Sequence, residues 1–222
     1  MIRKRHPSHQ AILDAYREKV QSVSRGVAKA YNDLEAENLH DSHKAQIQSR
    51  IKAAAAAQMQ EILSGYHADL EATEEKLRSK IHRTVGANDR LFSTIESVRE
   101  VKDLTAEYKR ATRIGDMTRA RAIASEAAER GDLATIRLHG ATDPAYLAAA
   151  ESANSYRSSI SEKSYKVADK MDLGTVADPK IVGTKNTKSG PVYEWATPSD
   201  ADKMGNDERV RNVPKEFAPL RV

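Results

Sequence analysis

Histidines, serines and carboxylates are plentiful in this chain, and a few of them have the spacing of a chemical site. The pairs His6–His9 and His40–His43 have a spacing that can chelate a metal ion. Neither pair has a cysteine or carboxylate in a recognisable zinc pattern, and each lies at a predicted segment end or turn. We therefore expect these four histidines to be exposed polar residues in turns, and we predict no metal site and no cofactor. Partly exposed packing positions are expected for the histidines on helical segments, which are His67, His82 and His139.

Nucleophilic and phosphate-binding motifs are absent from the sequence. No serine lies in a Gly-x-Ser-x-Gly turn, and Gly183-Thr184-Lys185 lacks the earlier glycine of a phosphate-binding loop. Paired carboxylates such as Glu74 and Glu75 lie on faces predicted to be solvated, which is typical of surface residues and not of an acid–base pair. The chain has no cysteine, which excludes disulfides, thiolate ligands and cysteine nucleophiles. These patterns predict a protein that is not an enzyme.

An apolar stripe with spacings of three and four residues organises the first ninety residues. It predicts one helix from Ser8 to about Asn38 and a second over residues 42–84. The near-heptad period buries a narrow seam against another helix, and the short break at 38–42 predicts a long antiparallel hairpin over residues 8–86. The stripe consists of Leu13, Tyr16, Val20, Val23, Val27, Tyr31 and Leu34, followed by Ile47, Ile51, Met59, Ile62, Tyr66, Leu70, Thr73, Leu77 and Ile81.

Glycine and proline divide residues 88–173 into shorter helices. A third helix is predicted from Asn88 to Gly115, and a closing helix from Pro144 to about Met171. Between them, Gly115-Asp116 and Gly131-Asp132 each combine a glycine for the left-handed helix end with an aspartate that caps the next helix. Six tyrosines fall on the helical seams and are predicted to lie in the core: Tyr16, Tyr31, Tyr66, Tyr108, Tyr146 and Tyr156.

The stretch at about 104–140 resembles one tetratricopeptide-like helical hairpin. That resemblance implies two short helices crossing closely at small side chains. Its packing positions would be Tyr108, Ala111, Ala120, Ala124 and Ala127.

The composition changes after Gly174. Five of the seven prolines lie there and the helical period ends, so residues 174–222 are predicted to form an extended or partly disordered arm. Pro191–Trp195 could form one short strand. Widely spaced apolar anchors on such an arm are typical of a segment that lies along another protein. The predicted partner-binding residues are Tyr193, Trp195, Phe217 and Leu220.

Charge is distributed almost evenly over the body. Arg3, Lys4 and Arg5 supply three of the net four positive charges, and elsewhere acidic and basic residues alternate. A nucleic-acid-associated helical protein using Arg3–Arg5 remains an alternative. No apolar run approaches the roughly twenty residues that span a bilayer, and the N-terminal residues lack the pattern of a secretory signal.

The predicted fold is all-α and elongated. Only 39% of residues are hydrophobic, and many of these are alanines, which bury little area each. Four segments are predicted: a basic end (1–7), the long helical hairpin (8–86), a helical segment with the Gly-Asp hairpin and closing helix (88–173), and the C-terminal arm (174–222).

The chain resembles the helical accessory structural and assembly proteins of tailed bacteriophages. The features that carry the resemblance are the Ala/Arg/Asp-rich helical body, the Gly115-Asp116…Gly131-Asp132 hairpin and the segment Asn212–Phe217. It implies a virion component present in several copies, which contacts capsid, neck or tail proteins and needs no cofactor. A scaffolding protein or assembly chaperone absent from the mature particle is the alternative. Outside a phage, a cytoplasmic location is expected.

Overall fold

The computed structural model describes residues 5–37, 39–86, 88–161, 169, 173, 176, 178–188, 190–198 and 200. These residues form seven α-helices and one two-stranded sheet, which confirms the all-α class. The helices are α1 (Pro7–Ala36), α2 (Asp41–Thr84), α3 (Asp89–Val98), α4 (Leu104–Arg113), α5 (Met117–Arg130), α6 (Leu133–Gly140) and α7 (Pro144–Ser161). The strands are β1 (Lys180–Thr187) and β2 (Gly190–Ala196).

The chain contacts divide the molecule into two compact units. Unit 1 comprises Met1–Ile12 and His67–Ala168, and unit 2 comprises Leu13–Tyr66 and Asp169–Val222. The division falls within α1 and within α2. The bounds of these two helices agree with the sequence prediction to within about two residues.

Unit 1 is built around α5. Residues 122–128 of this helix are all buried, and α3, α4, α6 and α7 all contact it. Alanine dominates the buried face, so the neighbouring helices approach closely. The five predicted packing positions of the helical hairpin are buried as expected: Tyr108, Ala111, Ala120, Ala124 and Ala127.

Helix ends in unit 1 follow the predicted turn chemistry. Gly115 and Gly131 have φ values of +78° and +72°, in the left-handed region that glycine adopts without a steric cost. Asp116 accepts a hydrogen bond from the Arg119 amide at 2.9 Å, and Asp132 accepts from the Ala134 amide at 3.1 Å. These side chains satisfy amides that the first helical turn leaves unpaired.

The prediction of a single third helix is wrong, because this stretch of the chain forms two helices. α3 ends at Val98 and α4 begins at Leu104, where Asp103 accepts a hydrogen bond from the Ala106 amide at 2.8 Å. Arg130 of α5 donates to the carbonyls of Val101 at 2.6 Å and of Arg99. This guanidinium satisfies carbonyls at the end of α3 and so stabilises the break.

Unit 2 contains an antiparallel pairing of residues 13–36 with residues 41–66. Tyr16 packs on Tyr66 at one end, with ring centroids 5.6 Å apart, and Glu35 pairs with Lys44 at 2.9 Å at the other. The longer hairpin predicted over residues 8–86 extends beyond this unit and remains a prediction.

The sheet of unit 2 lies in the segment predicted as an arm. β2 contains the predicted strand Pro191–Trp195, whereas β1 was not predicted. The strands pair antiparallel, with Ile181 opposite Trp195 and a bulge between Ile181 and Gly183. Residues 201–222 lie outside the described residues, as does most of the predicted continuation of the closing helix to Met171.

Candidate functional site

Trp195 of β2 is held by a side chain of α1. The side-chain amide of Asn32 donates from Nδ2 to the Trp195 carbonyl at 2.8 Å, and the Trp195 amide donates to Oδ1 of Asn32 at 2.7 Å. One asparagine therefore pairs both backbone groups of Trp195, as an adjacent strand would. This contact fixes the position of β2 on α1.

The indole of Trp195 belongs to an aromatic row in unit 2. It meets the Tyr31 ring edge to face, with centroids 5.1 Å apart, and the Tyr193 ring at 6.5 Å. Two of the four predicted partner-binding residues, Tyr193 and Trp195, are thus brought together against α1 of the same chain. The other two, Phe217 and Leu220, lie outside the described residues.

Two polar atoms in this row are buried without a hydrogen-bond partner among the described residues. They are the hydroxyl of Tyr31, a residue only 3% exposed, and Nε1 of Trp195. Burial raises the pKa of Tyr31 to about 12, and the nearby negative charge of Asp178 adds to the effect. Since the hydroxyl stays protonated at neutral pH, both groups are hydrogen-bond donors, and a buried donor without an acceptor is costly.

An apolar groove adjoins the aromatic row. It has a volume of about 270 Å³, and its rim carries an ion pair between Lys52 and Asp178 at 3.0 Å. The volume is below the roughly 300–1,000 Å³ typical of small-molecule sites, so the groove suits a side chain of a peptide better than a cofactor. Its apolar lining consists of Val27, Ala55, Ala56, Met59 and Val176.

A second groove lies in unit 1 and is polar. It has a volume of about 520 Å³ and is lined by Glu75, Arg78, Ser79, His82, Arg83 and Phe92. Arg78 already pairs with Glu129 at 2.9 Å, and burial lowers the pKa of His82. Ser79 has no hydrogen bond to His82 that would activate it as a nucleophile. Hence the groove contains no recognisable catalytic arrangement.

The histidines of unit 1 pack more deeply than the sequence predicted. His9, expected to be exposed, is fully buried, with Nδ1 3.2 Å from Oγ of Ser159. His6 is half-buried and meets the Tyr156 ring at 5.4 Å. The exposed-turn interpretation was wrong for this pair, because the first turns of α1 pack on α7. It is confirmed for His40 and His43, which are exposed.

His139 lies in the core of unit 1, where partial exposure was expected. Its Nδ1 lies 2.9 Å from the Tyr108 hydroxyl, and its ring meets that of Tyr146 at 4.6 Å. Burial lowers the pKa of His139 and raises the pKa of both tyrosines. The Tyr146 hydroxyl donates to the Ala124 carbonyl at 2.7 Å, so this group ties α4, α6 and α7 to α5. The role of these residues is structural.

The six seam tyrosines are all buried, which confirms the prediction that they are core residues.

Of the basic triplet, Arg5 is described and is half-buried, while Arg3 and Lys4 lie outside the described residues. No group of three or more possible metal ligands occurs among the residues that the structure describes. Within the same residues, no helix combines the length and apolar character needed to span a bilayer.

The sequence did not reveal Asn32 as a site residue. Asn32 directly follows the seam position Tyr31, so the sequence does predict that it lies at the edge of the helical interface. Its partner lies 163 residues away along the chain. No local spacing connects positions so far apart, and only folding brings them together. No known family model, curated protein or solved structure matches this chain.

Proposed function

We propose that this chain is a non-enzymatic structural protein, which binds neighbouring subunits of a larger assembly through its helical seams and its C-terminal arm. The observation that supports this most is the unequal burial of the two seams in unit 2. Leu13, Val20 and Leu34 of α1 are buried. By contrast, Ile47 and Ile62 of α2 are only half-buried.

An apolar stripe that is only partly buried on a long helix leaves some apolar surface in water, which is unfavourable. Another copy of the chain, or a capsid, neck or tail protein, would remove this surface from solvent. The helical, alanine-rich body is similar in kind to accessory proteins of tailed bacteriophages. We propose a virion component without a cofactor, because such a component would account for this resemblance and for the partly buried apolar stripe.

Light scattering of the purified full chain tests the association. We expect the mass to rise with concentration, and Ile47→Ser with Ile62→Ser to shift it toward the monomer. The matched control is Ile114→Ser, because Ile114 is 68% exposed and belongs to unit 1, whereas the substituted seam belongs to unit 2. A chain that stays monomeric at all concentrations and captures no other virion protein would contradict the proposal.

Protein composition of purified particles separates a virion component from a scaffold. A permanent component remains in mature particles at fixed stoichiometry, whereas a scaffolding protein is absent from them. Nucleic-acid binding would instead weaken steeply with salt and be lost when Arg3, Lys4 and Arg5 are replaced by alanine. That outcome would favour the nucleic-acid alternative.

A further inference from the structure

Two turns of unit 1 have the same backbone chemistry. The α4–α5 turn and the α5–α6 turn each contain a left-handed glycine, followed by an aspartate that caps the next helix. The amide of Asp116 donates to the Ala111 carbonyl, and the amide of Asp132 donates to the Ala127 carbonyl, both at 2.9 Å. The two turns therefore align residue for residue, and side chains that differ between them are not required by the turn itself.

The aligned positions differ in charge. Arg110 and Arg113 of α4 correspond to Glu126 and Glu129 of α5, because each pair precedes its Gly-Asp turn at the same distances. The same helix end and turn thus form with either sign of charge at these positions. The positive charge of the two arginines needs an explanation other than the fold.

The charges at the α5–α6 turn are neutralised within unit 1. Arg130 pairs with Glu126 at 2.7 Å, and Glu129 pairs with Arg78 and Arg157, each at 2.9 Å. The cations at the α4–α5 turn are exposed instead, and none of them has an ion pair with a described residue. They are Lys109, Arg110, Arg113 and Arg121.

The carboxylates beside these cations already have partners. Glu107 pairs with Arg119 at 2.8 Å, and the carboxylate of Asp116 accepts a hydrogen bond from the Arg119 amide at 2.9 Å. The helix macrodipole favours the two arginines in the last turn of α4. It does not favour Arg121, because this residue lies near the N-terminal, positive end of α5.

Two large apolar side chains are exposed at the same turn. Ile114 is 68% exposed and Met117 is 51% exposed, and the Met117 amide donates to the Gly115 carbonyl at 2.9 Å. Arg113 directly precedes Ile114, and Arg121 lies one helical turn after Met117. The apolar pair is thus flanked by arginines on both sides. We define the α4–α5 surface as Lys109, Arg110, Arg113, Ile114, Met117 and Arg121.

This combination has a specific chemical complement. Arginine and methionine are both enriched at protein–protein interfaces, and a guanidinium binds a carboxylate through two parallel hydrogen bonds. The backbone phosphates of a nucleic acid would also neutralise the cations, but they would leave Ile114 and Met117 without an apolar contact. An acidic protein segment that carries an apolar side chain matches both parts of the surface.

We propose that the α4–α5 surface binds an acidic segment of a different protein, whose carboxylates pair with the arginines and whose apolar side chain packs on Ile114 and Met117. The inference goes beyond the proposed function, because this surface belongs to unit 1 and the half-buried seam belongs to unit 2. It holds whether or not copies of the chain associate.

Peptide binding to the full chain tests the apolar part. The probe is a fluorescein-labelled synthetic peptide in which pairs of glutamates alternate with single leucines, and binding is followed by fluorescence anisotropy. Ile114→Ser with Met117→Ser should weaken binding about tenfold, because two apolar contacts are lost. Leu133→Ser is the matched control, since Leu133 is 52% exposed at the α5–α6 turn, and it should keep the wild-type affinity. A wild-type chain that does not bind the peptide, or an equal loss in both variants, overturns the proposal.

Charge reversal tests the electrostatic part. Arg110→Glu with Arg113→Glu introduces the residues that the α5–α6 turn already has at the aligned positions, so circular dichroism should show the wild-type helix content. We expect this variant to lose the glutamate peptide and to bind the corresponding lysine–leucine peptide. Lys76→Glu with Lys80→Glu is the matched control, because it changes the net charge equally at exposed positions of α2. An equal loss in both variants would show attraction by net charge alone and would overturn the proposal.

Two further measurements identify the class of partner. If duplex DNA of mixed sequence displaces the peptide and binds equally well after Ile114→Ser with Met117→Ser, the surface is a nucleic-acid site and the proposal is wrong. Light scattering of the Arg110→Glu, Arg113→Glu variant should give the wild-type dependence of mass on concentration. A loss of self-association would assign the surface to a second copy and would also overturn the proposal. The Ile47 and Ile62 substitutions test the proposed function separately.

Discussion

Gly65 of α2 faces the ring of Tyr16 of α1 so closely that a Cβ added at Gly65 would lie 2.8 Å from the Tyr16 hydroxyl. Tyr16 is 6% exposed and packs on Tyr66, so its ring has little freedom to move aside. The glycine that looks like a weak point in the long helix is thus a close contact between two helices.

This contact predicts opposite effects at two helical glycines. Gly65→Ala gains about 1 kcal/mol of helix propensity but overpacks the site at a cost of roughly 1–3 kcal/mol, so we expect a lower free energy of unfolding. Gly26→Ala is the matched control, because nothing lies within 4 Å of its added Cβ; it should stabilise by about 0.5–1 kcal/mol. Urea unfolding followed by Trp195 fluorescence measures both. Equal stabilisation by the two substitutions would show that Tyr16 does not crowd Gly65.

Asn32→Ala should destabilise unit 2 by about 1–3 kcal/mol, since the amide and carbonyl of Trp195 lose their partners. The same unfolding experiment reports the loss, and the emission of Trp195 should change in the folded state. Asn186→Ala is a fitting control because Asn186 is exposed on β1; it should stay within about 0.5 kcal/mol of wild type. Similar losses for both variants would contradict the special role of Asn32.

Arg157→Lys should destabilise unit 1 by about 1–3 kcal/mol. The guanidinium donates to the carbonyls of Ala128 at 2.7 Å and Glu129 at 3.0 Å, and it pairs with Glu74 at 3.0 Å. A lysine ammonium cannot reproduce this planar set of donors. Thermal unfolding followed by circular dichroism gives the magnitude. Arg17→Lys, at a more exposed ion pair with Asp14, should be nearly neutral. A neutral Arg157→Lys would contradict the role of this guanidinium as the partner of the two carbonyls.

Stability should fall as the pH falls from 7.5 to 5.5. Burial holds the pKa of His139 below its usual value of about 6.5, although Asp143 opposes the shift and Arg121 adds to it. The unfolded chain therefore binds a proton in this range that the folded chain does not, which lowers the free energy of unfolding. Burial lowers the pKa of His6 and His82 in the same direction.

The contribution of His139 can be separated by substitution. His139→Gln should be less stable than wild type at pH 7.5 but should lose less stability on going to pH 5.5, as measured by urea midpoints at both pH values. His43→Gln, at an exposed position, should keep the wild-type difference. If His139→Gln retains that full difference as well, His139 is not a source of the pH dependence.

Local sequence chemistry predicted most helix positions. The Gly-Asp turns, the start of α7 after Asp143 and the burial of all six seam tyrosines follow from spacing and capping, which act over one or two turns of chain. The break between α3 and α4 was not signalled, because Val101 lies three residues from both Val98 and Leu104 and continues the three-and-four period. The sequence also could not predict that Arg130 pairs with the carbonyls at this break, because the arginine lies about thirty residues further along the chain.

The sequence by itself determined the helical class of this protein, its turn positions and its seams, since these depend on contacts between near neighbours in the chain. Only the tertiary structure decided that His9 and His139 are buried, that β1 pairs with β2, and that Asn32 clamps Trp195. These features depend on which distant segments of the chain come into contact. Those contacts determine which side chains are buried and which buried donors have no acceptor. The two donors at Tyr31 and Trp195 became visible only once the surrounding side chains had excluded water from them.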